Sequence, residues 1–140
     1  DANSTLAISE NSLGDDDYVW FVETRLQVWR ESADKVVSAI EIFQKSPNDP
    51  AVVAKLLDAL EYMWAASDLI LTIKPTSKYE TIHTYLVQAM NESKAAVEDC
   101  RFWARTLDWQ AGRDGNLHIE RTNLYLKEFT TRFVALSQPS

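Results

Sequence analysis

Between Val19 and Leu136, apolar and small residues recur at alternating spacings of three and four, and that spacing puts them on one face of a helix. A strand, with its period of two, cannot bury such a series. The first run is Val19, Val22, Leu26, Trp29, Ala33, Val36, Ile40 and Phe43, which predicts a helix over about 18–44. The second is Val53, Leu56, Leu60, Met63, Ser67 and Ile70, with Leu57, Trp64 and Leu71 in a row beside it. So wide an apolar face predicts that the second helix is the most buried. Tyr79, Ile82, Leu86, Ala89, Ser93, Ala96, Cys100, Trp103 and Leu107 make a third seam, on a helix running to about Gln110. Ile119, Thr122, Leu126, Phe129, Phe133 and Leu136 make the fourth, from about Asn116.

The chain has only three glycines and four prolines, and the breaks between helices are read from them. Ser46-Pro47-Asn48-Asp49-Pro50 is a turn in which Asp49 caps the next helix and Pro50 takes its first position. Lys74-Pro75-Thr76 ends the second helix, and Ser77-Lys78-Tyr79-Glu80 spells a capping box for the third. Gly112 and Gly115 flank a polar turn before the fourth. Short connections make neighbouring helices antiparallel. The expected fold is all-α: a four-helix antiparallel up-down-up-down bundle over residues 18–137, behind an extended acidic leader at 1–17. The third helix is expected to be the longest, so that its hairpin with the fourth projects at one end.

The formal net charge is −7, and five of the negative charges stand in the leader without a Lys or Arg. The body is left near neutral at −2, which argues against a nucleic-acid partner. No apolar stretch is long enough to span a bilayer. A polar leader opening on Asp1 is what removal of an export signal leaves, which favours an extracytoplasmic location over a cytoplasmic one. Trp20 and Phe21 lie off the apolar seam at the bundle end. Leu6, Ile8 and Leu13 are close enough in sequence to fold back over them.

Signatures of chemistry are sparse. Glu80 and His83 have the Glu-x-x-His spacing of di-iron bundles, but a second copy is missing and the capping box explains Glu80. No metal site and no cofactor is expected. Cys100 falls on the third seam as a small buried thiol, and no nucleophile elbow or phosphate loop is present. The chain is not expected to be an enzyme.

Two features invite binding. Ala89, Ser93 and Ala96 form a small-residue stretch facing Trp29, Trp64 and Phe129; the favoured reading is that the large side chains fill the space above the small ones, and the alternative is an interhelical pocket for a small apolar ligand. Arg101, Arg105, Trp109, Arg113 and Arg121 gather around the expected hairpin, and arginine with tryptophan is the composition of protein interfaces. The leading expectation is a non-enzymatic interaction or structural module with a protein partner, tethered outside the cytoplasm by its leader. The alternative is a ligand-sensing bundle.

Overall fold

The computed structural model describes residues 14–138 and contains four helices: α1 (Asp15–Lys45), α2 (Pro50–Leu71), α3 (Glu80–Thr106) and α4 (Trp109–Ser137). They form an all-α antiparallel bundle with no strand among the described residues. The expected cover over Trp20 and Phe21 involves residues outside that range. Trp20 itself is exposed, while Phe21 is half-buried.

α1 begins three residues earlier than expected. Asp15, Asp16 and Asp17 are its first turn, where carboxylates meet the positive end of the helix dipole. The Thr76 hydroxyl donates to Asp15 at 2.5 Å, which fixes this start against the loop before α3. Tyr18, four residues before Val22, lies on the seam and is fully buried, while Val19, which the sequence placed there, is half-buried. The α1–α2 turn is as the sequence implies: Ala51 N–H donates to the Asp49 carboxylate at 3.0 Å, and Pro50 opens α2. Arg25 of α1 donates to the Leu69 carbonyl at 2.8 Å and to the Thr72 hydroxyl at 3.0 Å, serving the C-terminal end of α2.

The capping box before α3 does not form. Residues 77–79 are a turn, Tyr79 N–H is bonded to the Thr76 carbonyl, and the helix starts at Glu80 with no side-chain cap. Tyr79 is drawn inward instead, stacking on Tyr18 at 4.7 Å between ring centroids.

The α3–α4 corner also departs from expectation, and for a clear reason. α3 ends at Thr106, and Leu107 takes a left-handed conformation (φ 58°, ψ 27°) while its N–H donates to the Trp103 carbonyl at 2.8 Å. Asp108 then caps α4, accepting from Gln110 N–H at 3.0 Å and Ala111 N–H at 3.4 Å. Gly112 and Gly115 therefore lie inside α4 rather than in a turn. A Cβ on Gly115 would stand 2.7 Å from Cys100 Sγ, and one on Gly112 would stand 3.0 Å from the Trp103 ring. The glycines serve the close approach of α3 and α4, which make the most extensive helix–helix contact. This earlier corner leaves α1, at 31 residues, as the longest helix. Trp103, one turn before the corner, packs against Phe43 near the end of α1, so the hairpin ends about level with α1 and does not project.

α3, not α2, contributes the most buried positions. Its whole seam from Tyr79 to Trp103 is buried, as expected, and His83, Met90, Val97 and Ala104 are buried beside it. One end of the core is aromatic: Tyr18, Tyr79, Phe129 and Phe133 interlock, with Phe129 stacked on Phe133 at 5.2 Å.

Candidate functional site

Three of the four seams around the bundle are closed. α1 packs on α2, α2 on α3 and α3 on α4, but the backbones of α1 and α4 stay apart along most of their length. Side chains bridge them at the aromatic end, where Tyr18 meets Phe133. Elsewhere a groove runs along the seam in two hollows that share Ile119. The upper hollow encloses about 520 Å³ over a floor of Trp29, Val36, Met63 and Leu126, with Arg30, Asp34 and Lys127 on its rim. The lower hollow, of similar volume, lies beside the α3–α4 corner between Ile40, Trp103, Trp109 and Arg113. A third hollow is shallow and lies on the outer face of α1 and α2, against Ile42, Val52 and Tyr62.

The space beside Ala89, Ser93 and Ala96 is filled rather than an open slot. All three residues are buried, as is Phe129, and the Trp29 indole occupies the space. Its N–H donates to Ser93 Oγ at 3.0 Å; Ser93 lies 2.9 Å from Ser67 Oγ, and Ser67 donates to the Met63 carbonyl at 2.9 Å. Each hydroxyl has one hydrogen to give, so the chain runs in one direction and leaves none of these donors unpaired. Small residues on α3 thus make room for a side chain of α1, and close packing explains them. Trp64 does not join this group. It lies at the α2–α3 edge, half-buried, with Lys94 Nζ 4.3 Å and the Arg101 guanidinium 5.8 Å from its ring.

The arginine cluster is divided in the same way. Arg101 belongs to the Trp64 edge, whereas Trp109 and Arg113 line the lower hollow on the opposite side. Arg105 and Arg121 are exposed and form no ion pair among the described residues. The corner falls earlier than the sequence suggests, which turns α4 relative to α3 and separates groups that a loop would have gathered.

The reactive groups are engaged in structure. Burial pushes the Cys100 thiol up to about 11, with the Asp99 charge adding to the effect, so the nucleophilic thiolate is disfavoured. Glu80 is exposed while His83 is turned inward, so the Glu-x-x-His pair does not converge. No group of three or more His, Cys, Asp or Glu among the described residues is placed to hold a metal ion. The Tyr18 hydroxyl lies 2.7 Å from His83 Nδ1, and His83 also bonds to the Ile73 backbone. His118 lies between α3 and α4 with Nδ1 on Glu92 and Nε2 3.4 Å from Asp99. Glu92 and Asp99 are seven apart and share a helix face, but their meeting with His118 is legible only once the α4 register is known.

Burial holds the His83 imidazole below its ordinary range, the Ile73 hydrogen bond opposing this in part. The unfolded state therefore binds the proton more readily than the folded one. Stability is expected to fall as pH drops below the unfolded value of ~6.5 and to level off beneath the folded value. The check is the melting temperature of wild type and His83→Gln between about pH 7.5 and 5. The wild-type protein should lose more stability than the variant over that window, and parallel curves would exclude His83 as the cause.

Comparison with family models, with characterised proteins and with solved structures finds no match to this chain.

Proposed function

We propose that this chain is a non-enzymatic binding module that takes an amphipathic helix of a partner protein into the upper part of the α1–α4 groove. The observation that carries the reading is the seam left ajar above an apolar floor of Trp29, Val36, Met63 and Leu126. Its walls run over Trp29–Val37 and Ile119–Thr131, or ~12–18 Å at 1.5 Å per residue, which matches two to three helical turns. One more helix there would continue the helix-on-helix packing of the bundle, with its large apolar side chains in the hollow. Arg30 and Lys127 outnumber Asp34 on the rim, favouring acidic residues along the partner's flanks. What supports binding over catalysis is that Cys100, His83 and His118 are each buried or already paired.

The test uses a synthetic helical peptide with leucines at i, i+3, i+4 and i+7 and glutamates beside them, with its scrambled form as control. Two-dimensional NMR should show saturable shifts around Trp29, Ala33 and Leu126. Ala33→Glu, which puts a charge on the wall, should weaken binding at least about tenfold while leaving the circular dichroism unchanged. Equal binding of the scrambled peptide, or shifts that persist in Ala33→Glu, would overturn the reading. Saturation by a small apolar molecule such as toluene, with no response to the peptide, would replace it with ligand sensing.

A further inference from the structure

The lower hollow differs from the upper one in its chemistry. It has an aromatic wall, Trp109 packed edge-on to Trp103 at 5.4 Å between centroids, and aliphatic surface from Ile40 and Ile119. Trp109 is 49% exposed, so an indole face of low rotamer entropy is open to solvent at this point. At its mouth stands Arg113, whose guanidinium donates to the neutral Gln110 side chain at 2.8 Å and meets no carboxylate among the described residues. The nearby acids are engaged elsewhere: Asp108 caps α4, Asp114 accepts from Gln110, and Asp99 faces His118. Gly112, lying on the Trp103 ring, leaves this part of the wall without a side chain.

A second, independent observation lies in the wall itself. Trp103 is only 3% exposed, and its indole N–H is the buried side-chain donor left without a hydrogen-bond partner among the described residues. Leaving such a donor unpaired destabilises a protein, and native structures seldom do so without a reason. The other deeply buried indole, Trp29, has its partner in Ser93. Unlike Trp29, then, Trp103 lacks an acceptor, and its ring forms part of the wall of the hollow.

We propose that the lower α1–α4 hollow is a binding site for a small aromatic carboxylate. The planar ring lies between Trp109 and the Ile40–Ile119 surface, the carboxylate pairs with Arg113, and a small movement of the wall that now closes over the Trp103 N–H lets one carboxylate oxygen become its acceptor. A carboxylate suits a single guanidinium, whose two parallel N–H groups match its two oxygens. A phosphate, with more charge and more oxygens to satisfy, would call for further cations that the hollow lacks. A volume of about 520 Å³ is within the range in which proteins hold small molecules. The site is separate from the peptide-binding reading of the upper hollow and does not depend on it.

The probe is 1-naphthoate, with 1-naphthamide as its uncharged isostere, followed through the five tryptophan indole N–H resonances of the ¹⁵N-labelled full chain. Saturable shifts of the Trp103 and Trp109 resonances are expected, with Trp29 unmoved. The amide should bind at least about tenfold more weakly than the acid, and Arg113→Gln should reduce affinity for the acid by a similar factor. Trp103→Phe keeps most of the ring and deletes the N–H; it should weaken naphthoate binding without abolishing the fold. Arg113 is exposed, so its variant tests the site even if Trp103→Phe folds poorly. Three results would overturn the proposal: no saturable shift up to about 1 mM, equal affinity for acid and amide, or binding unchanged in Arg113→Gln. A shift of Trp29 in place of Trp103 would also overturn it, placing the probe in the upper hollow.

Discussion

Phe129→Ala is expected to lower the unfolding free energy by ~3–5 kcal/mol, read as the shift in a chemical-denaturation midpoint. Phe129 has no exposed surface and stacks on Phe133, which in turn contacts both Tyr18 and Tyr79. Removing the ring takes away buried apolar area and leaves a cavity that interlocked neighbours cannot readily fill. That combination places the cost at the high end for a core truncation. The α1–α4 seam is bridged here by aromatic contact, so the loss also loosens the one place where the first and last helices meet firmly. A midpoint within experimental error of wild type would show that the aromatic end is not packed as described.

The second large effect is expected at a position with no side chain. Gly115→Val should cost about 3 kcal/mol, at the top of the range for overpacking. Two effects oppose one another here. Valine is a better helix former than glycine, by a few tenths of a kcal/mol, which would favour the substitution at an exposed site. At this site the new Cβ would lie 2.7 Å from Cys100 Sγ and 3.4 Å from Asp99 Cβ, before the two branched methyls are counted. The steric term wins because α3 and α4 cannot separate without opening the most extensive contact in the bundle. Cys100→Ala should restore part of the loss in the double variant, since it removes the atom that a Cβ would meet first. A double-mutant cycle measures the coupling; strict additivity would place Gly115 away from Cys100.

Much of this architecture is legible in the residues, for physical reasons that differ by element. The seams of α1, α2 and α3 can be read because their apolar and small residues together follow the helical period without interruption. Pro47, Asp49 and Pro50 mark the first turn through φ restriction and capping, both properties of the residues themselves. The α3–α4 corner is hidden in the sequence because Gly112 and Gly115 carry a poor intrinsic helix propensity, which helix–helix approach overrides. A signal was present: Ala111 and Gly115 continue the α4 series of Ile119, Thr122, Leu126 and Phe129 backwards without a change of phase. The corner itself uses neither glycine nor proline, only Leu107 in a left-handed conformation and an aspartate cap.

The candidate site was less legible. Periodicity reveals which residues face inward, but not how far apart two helices stand. Periodicity sets Trp29 opposite the small residues of α3, yet whether its indole closes or lines a slot depends on its hydrogen bond to Ser93, which is linked in turn to Ser67. The groove between α1 and α4 is a property of four helix positions together, and no local pattern encodes it. Arg113 and Trp109 were singled out on composition and do meet at one hollow, while Arg101 lies at the other edge of the bundle.

The seam left ajar is also the one joining the two elements furthest apart along the chain. Every closed seam links consecutive helices, and α3 and α4 are separated by only Leu107 and Asp108. Bringing consecutive helices together closes short loops, whereas drawing α1 onto α4 must close a loop of at least the 63 residues between Lys45 and Trp109, whose entropy cost rises with its length. The contact map is accordingly dominated by near neighbours, the low-contact-order regime in which folding is fast. An opening between the first and last helices therefore gives up the contacts that contribute least to early assembly, leaving three successive helical hairpins to define the topology.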